Sequence, residues 1–431
     1  MRILTFLRLA VMMALQYAIW GAWRPVLAVY LQRELHFSGA ETGATYSLMW
    51  LACIATPFLG GQIADRWIPS QFVCAGFHLV GGLAMWQAAH AHSFSHLWPW
   101  MLLYALAFAP TLALSNSMTF KHLADIRRQF GAIRVFGTFG WIAAGVVLSA
   151  WRTGSLGLTR FGSQADCLIL ASVCSLLMAV WCLFLPNTPP ARKAESPWAF
   201  LRAVKMAYDR RFLVFLVLMF MVTMMLEFYY MLAGPFLKDL GVSVANLPRV
   251  MTLAQVAEIP VMFLALPYFL PRLGFRKTLG IGMLAWPLRY IIWTLVALAG
   301  GPLWVALAAM GLHGFCSAFL MVASQLYVDR IAPGDVRHSA QAFLTFVTLG
   351  VGNYIGTLVA GFLQDHLSHL GGPLGAATMH TNWSLFFMVP MAVTALAFVG
   401  FVLFFREIKP GDLNGQSSPA EAEAPLPTAD A

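Results

Sequence analysis

The sequence predicts an all-α membrane protein of twelve transmembrane helices in two six-helix, pseudo-symmetric bundles, and three observations predict it. Of the 431 residues, 60% are hydrophobic and only 10% are charged, where soluble domains carry roughly 25% charged residues. Apolar runs of about 20 residues recur along nearly the whole chain, each long enough to cross a hydrocarbon core of ~30 Å as a helix. A long polar interruption at 186–211 divides these runs into two equal sets. The runs are continuous, which favours helices over barrel strands, whose polarity alternates in segments of ~10 residues.

The first run, 6–31, is too long for a cleaved signal, and no small-residue cleavage site precedes the second, at 42–63. GQIADRW (61–67) then makes a polar loop. The third run, 71–90, and the fourth, 98–118, are joined by HAHSFSH (90–96). Its histidines have no cysteine beside them in a short loop, so solvated side chains are expected and not a metal site. The fifth run, 131–151, opens on GAIRVFGTFGW, and the sixth is 166–185. After the polar interruption come 212–236, 247–269, 278–299, 303–326, 339–364 and 383–405. From Pro410 the chain is rich in Pro, Ala, Ser and acidic residues, a composition that cannot bury enough apolar surface to order itself. The expected organisation is a bundle at 1–185, a cytoplasmic linker at 186–211, a second bundle at 212–406 and a disordered cytoplasmic tail at 407–431.

Charge sets the orientation. Most of the 27 lysines and arginines fall on one side if both termini are cytoplasmic, as the enrichment of basic residues in cytoplasmic loops requires. The formal charge of +9 is therefore topogenic, and because it is spread over many short loops it excludes a nucleic-acid patch. Short loops favour a bacterial inner membrane. The six cysteines lie in or at the ends of apolar runs without a CxxC pair, which reads as buried thiols. No cofactor is implied, and a monomer is expected.

The halves resemble each other at an offset of about 205 residues, as internal repeats of secondary transporters do. YLQRELHFS (30–38) aligns with PFLKDLGVS (235–243), placing Arg33 opposite Lys238 and Glu34 opposite Asp239. GQIADRW (61–67) falls opposite PYFLPRL (267–273).

Ionisable groups within hydrocarbon are costly, so each is a site hypothesis. Arg134, Thr138 and Trp141 stand at i, i+4 and i+7 on one face of the fifth run. They offer a fork of donors, a hydroxyl and a flat ring, which suits a planar heteroaromatic carrying hydroxyl groups. The alternative is an arginine that snorkels to the surface, with Thr and Trp packing. Gln255 and Glu258 share a face of the eighth run, as Glu227 and Tyr230 do in the seventh. Gln255 can both donate and accept. Glu258 and Glu227 are candidate proton carriers, because a carboxylate that alternates between an apolar setting and a guanidinium can take up and release a proton. The other reading is a static ion pair, with Arg134 or Arg24 for Glu258 and with Arg24 for Glu227. His313 has two readings, lining the cavity or bonding a backbone carbonyl, and Arg289, which has no evident partner, reads as a helix-packing or interfacial residue.

WGAW (20–23), PTLALSNS (110–117), IRVFGTFGW (133–141), FYYMLAGPFL (228–237), LAQVAEI (253–259), LHG (312–314) and VRHSAQ (336–341) together resemble the bacterial nucleoside:proton symporter family of the major facilitator superfamily. The resemblance implies a major facilitator fold, a nucleoside-like substrate and protons as partners. It implies a site between the halves formed by Arg134, Thr138, Trp141, Glu227, Tyr230, Gln255, Glu258, His313 and Ser317. GQIADRW resembles the superfamily's G-x-x-x-D-R signature, which implies gating by Asp65 and Arg66. The chain departs from the characterised carriers at Glu227 and Tyr230, where they have amides, at Ala318, where they have an acid, and at Arg24, where they have an apolar or aromatic residue.

Rival readings are a sugar, amino-sugar or anionic-metabolite carrier, an uncoupled facilitator, and a transporter-like sensor without flux. The sequence holds no HExxH, no GxSG-type nucleophile turn, no GxGD pair and no GxxxxGK[ST] loop, which argues against an enzyme or an ATP-driven pump.

Overall fold

A computed structural model describes residues 3–55, 67–123, 125–157, 163–190, 197–333, 336–371 and 378–413. The expected gating pair Asp65 and Arg66 and most of the tail lie outside the described residues.

Helices follow the apolar runs. The first span is Ile3–Trp23 continued by Leu27–Arg33, and the short break between them falls at Arg24-Pro25, where proline lacks the N–H that would continue the ladder. The second span is described over Gly39–Ala55, the third is Ser70–Ala89, the fourth Phe94–His122, the fifth Ile126–Thr153 and the sixth Asp166–Cys182. A 3-10 helix, Pro197–Tyr208, leads into the seventh, Arg210–Asp239. Asp209 caps that helix by accepting from the Arg211 N–H, which satisfies one orphan donor of the first turn.

The eighth span begins as Leu247–Met251 and Leu253–Pro260, passes through a π-helical turn at Val261–Ala265 and runs on into Leu266–Ala299. Gly274, at φ 72° and ψ 173°, breaks that last stretch and separates the eighth span from the ninth. Only glycine takes such a conformation freely. The tenth span is Leu303–Met310, a π-turn at Phe315–Val322, and Ala323–Ile331. The eleventh is Arg337–Thr345, a π-turn at Phe346–Gly352, and Asn353–His366, and the twelfth is Trp383–Phe404. Between these last two, Ser368–Gly371 and Thr378–Thr381 pair as a small antiparallel hairpin. The sequence reading did not foresee it.

Among the described residues, nine helical stretches are each long and apolar enough to cross a membrane, one of them, Leu247–Ala299, joining the eighth and ninth spans. The protein is a multi-pass membrane protein. The first span packs on the fifth and sixth and the third on the fourth and sixth, while the ninth packs on the twelfth and the seventh on the eleventh and twelfth. Each half is thus a bundle of its own. Close approach within a bundle uses small residues, as in lipid it must; Gly140 lies against the Ala14 backbone.

The repeat is visible in the backbone. His36 and Gly241, one offset apart, both have positive φ, 57° and 103°, where the first and seventh spans turn toward the next.

Candidate functional site

The two halves meet along the second and eleventh, fifth and eighth, and first and seventh spans. Every hydrogen bond between the halves among the described residues lies at, or just below, the end away from the termini. Arg33 pairs with Asp239 at 2.6 Å. Gln32 and Gln364 exchange amide hydrogen bonds of 2.8 and 3.1 Å. The Asp365 carboxylate accepts from the backbone N–H groups of Gly39 and Ala40, capping the second span from the opposite half, where the helix dipole favours an anion. Arg152 Nη1 donates to the Val244 carbonyl at 3.1 Å, and the Arg249 N–H donates to Ser149 Oγ at 3.0 Å. The second and eleventh spans cross at Gly39 and Gly361, where a Cβ on either would strike the other's carbonyl. This end is closed.

Beneath it lies an ion pair in an aromatic box. Arg24 Nη2 meets Glu227 Oε1 at 2.6 Å, both side chains buried. The guanidinium sits over the rings of Tyr230, Trp50 and Trp20 at 4.1, 4.8 and 4.9 Å, a placement the ring quadrupole favours. Trp141 adds a wall, with ring centres 6.1 Å from Trp20 and 6.3 Å from Tyr230.

Below the box, the half-buried Arg134 lays its guanidinium over Tyr17 at 4.0 Å. Half-buried Glu258 accepts a 2.6 Å hydrogen bond from Ser317 Oγ. No ion pair joins Glu258 to Arg134 or Arg24 among the described residues. The π-turns fit this placement: one follows Glu258 and another contains Ser317, and the extra residue in a π-turn re-aims the side chains around it. Gln255 is buried with no partner for its Oε1, and Thr138 is half-buried on the Arg134 face.

His313 is buried and bridges two groups. Its Nε2 is 3.3 Å from Tyr230 Oη, and its Nδ1 is 3.3 Å from Arg289 Nη1. Arg289, fully buried, lies over Tyr229, Trp286 and Tyr290 at 4.2, 4.7 and 5.2 Å.

Of the residues singled out in the sequence, Trp141 meets Tyr230, Tyr230 meets His313, and Glu258 meets Ser317. For Glu227, read either as a ligand or proton group or as a partner of Arg24, the structure places one oxygen on Arg24. Sequence reasoning missed Tyr17, Trp20 and Trp50. Tyr17, Trp20 and Arg24 stand at i, i+3 and i+7 on the first span, a spacing that was there to be read; Trp50 carries no such signal.

A family model described as Nucleoside H+ symporter matches residues 3–409. The chain is 31% identical over 411 residues to the xanthosine permease of Escherichia coli (strain K12), covering 92% of this chain and 95% of that one. It is 25% identical over 416 residues to nucleoside permease NupG of the same organism, covering 93% and 96%. A crystal structure of nucleoside transporter NupG superposes with a TM-score of 0.82 at 25% identity, over 93% of this chain and 100% of that one. The fold is that of the major facilitator superfamily.

Proposed function

The chain belongs to the nucleoside H+ symporter family, and on that premise we propose that it is a secondary transporter, not an enzyme, that imports nucleosides with protons by alternating access. The closed end faces outward, both termini are cytoplasmic, and the protein sits in a bacterial inner membrane as an inward-facing carrier.

In this reading the nucleoside lies between the Trp141–Tyr230 wall and the Arg134–Glu258 level. Trp141 stacks on the base, Arg134 and Thr138 supply donors, and Gln255 takes an edge that needs both a donor and an acceptor. Its unpartnered Oε1 supports that role, since a buried acceptor left empty costs about 1–3 kcal/mol. Tyr230, His313 and Ser317 complete the wall on the second bundle's side. The resemblance of GQIADRW to the superfamily signature assigns Asp65 and Arg66 to gating.

The observation that carries the coupling assignment is the contrast between two carboxylates. Glu227 is engaged by Arg24 at 2.6 Å, whereas Glu258 is half-buried, held by one hydroxyl and, among the described residues, without a cation in contact. Glu258 is therefore the proton carrier. In the cycle, Glu258 takes a proton while the outer end is open, substrate binds, and the bonds at Arg33, Gln32 and Asp365 form as the halves close. Proton and nucleoside then leave toward the termini.

The test is accumulation of labelled uridine in proteoliposomes under an inward proton gradient, with competition by unlabelled nucleosides, sugars and anionic metabolites. Gradient-dependent accumulation blocked only by nucleosides supports the reading. Competition by sugars or anions alone would replace it with a carrier of that class.

A further inference from the structure

Arg289 is a fully buried guanidinium with which no carboxylate pairs among the described residues. Three aromatic rings sandwich it, and among the described residues no acceptor stands in good hydrogen-bonding geometry to its Nε or Nη2. Burying a charge without a counter-charge is costly, so this side chain calls for a reason. Its one directed polar contact to a side chain on the substrate wall is to His313 Nδ1 at 3.3 Å.

An arginine carries only donors. The His313 nitrogen facing it must therefore be the bare one, which places the ring hydrogen of a neutral imidazole on Nε2. That nitrogen faces Tyr230 Oη at 3.3 Å, so the imidazole donates and the phenol oxygen accepts. The phenol's own hydrogen is then left for a third group. Tyr229, stacked on His313 at 5.2 Å with planes 24° apart, holds the imidazole in the plane that keeps both contacts.

We propose that Arg289 is a positioning residue that fixes the tautomer of His313 and, through it, makes Tyr230 a hydrogen-bond donor toward the substrate. The wall then selects a ligand that presents an oxygen acceptor, a carbonyl or a sugar hydroxyl, to Tyr230. It disfavours one that presents an N–H there. This inference rests on Tyr230 lining the substrate site, and it assigns a chemical polarity to that site which Tyr230 alone does not have, since a free phenol both donates and accepts.

The first test needs no variant. In protein labelled with 15N-histidine, the nitrogen shifts of His313, assigned by difference from His313→Gln, report the tautomer directly. A neutral ring with the hydrogen on Nε2 is expected. A hydrogen on Nδ1, or on both nitrogens, overturns the proposal whether or not the protein carries nucleosides.

The second test is uridine affinity. Arg289→Met removes the donors while keeping an elongated apolar chain between the rings, and about a fivefold to tenfold loss is expected, the worth of one hydrogen bond. Arg289→Lys, which keeps a donor, should retain most of the affinity. In a Tyr230→Phe background the Met change should add less than about twofold, because coupled residues are not additive. An equal loss in both backgrounds would make Arg289 a packing residue and overturn the proposal. If the wild-type protein binds no uridine, the nucleoside reading fails, while the nitrogen spectrum still decides the tautomer.

Discussion

Arg24 of the first span and Glu227 of the seventh form a buried 2.6 Å ion pair that ties one half of the molecule to the other beneath its closed end. Two charges removed from water are held there by each other and by the faces of Tyr230, Trp50 and Trp20. Removing one partner strands the other, at a cost of about 3–5 kcal/mol in typical buried pairs, whereas replacing both is often near neutral. Glu227→Gln and Arg24→Met should each lower the melting temperature in detergent clearly. The double variant should be more stable than either. If the double variant loses as much as the two singles combined, the residues do not act as a pair.

The candidate site predicts a division of labour. Arg134→Ala and Gln255→Ala should reduce uridine uptake more than tenfold, since each leaves a ligand polar group unpaired in a confined setting. Trp141→Ala should instead raise the apparent KM about fivefold to tenfold with a smaller effect on maximal rate, the magnitude of a lost ring contact. Near-normal uptake in folded Arg134→Ala and Gln255→Ala would remove those residues from the site, and an unchanged KM would remove stacking on Trp141.

The closed end should open when its contacts are weakened. Asp365 caps the second span from the other half, and a lost cap is worth about 1 kcal/mol. Gly361 lies against the Gly39 carbonyl, so Gly361→Val cannot close the crossing at all. Spin labels placed at Ser155 and Ser243, one on each half, should show a short distance in the wild type. A longer population should appear in Asp365→Ala and dominate in Gly361→Val. An unchanged distribution in Gly361→Val would show that this crossing does not gate the molecule. The Arg33–Asp239 pair is partly exposed, at 19% and 21%, and its loss alone should shift the balance little.

Asp209 gives a pH prediction outside the membrane. Hydrogen bonds from the Arg211 side chain, then from its backbone N–H, hold the Asp209 carboxyl below the usual aspartate range. A lowered folded-state pKa adds stability above the unfolded value, near pH ~4, and that stability is lost as pH falls through the lowered value. The melting temperature should therefore decline on acidification in the wild type and decline less in Asp209→Asn. Equal acid limbs would mean that the contact adds nothing.

Most of the helical framework was legible because the membrane makes it so. An apolar run long enough to cross a bilayer has few alternatives, and a charge inside such a run stands out by its cost, which is how Arg134, Glu227 and Glu258 were found. The repeat pairing of YLQRELHFS with PFLKDLGVS aligned Glu34 with Asp239, but the ion pair that forms joins Arg33 to Asp239, because the two segments face each other across the pseudo-twofold. The crossing at Gly39 and Gly361 and the bridge from Arg289 to His313 were not legible. The crossing joins residues several hundred positions apart, and the bridge joins side chains of the ninth and tenth spans, whose mutual packing side-chain spacing within one helix does not convey.

The assignment of Glu258 as the proton carrier is tested most directly by following protons and uridine together. Proteoliposomes loaded with a pH-sensitive dye should acidify inside when uridine is added outside to the wild-type protein, with no imposed gradient. Glu258→Gln should abolish that signal while still exchanging labelled for unlabelled uridine across the membrane. Acidification that persists in a folded, exchanging Glu258→Gln protein would contradict the account and move the proton to another group.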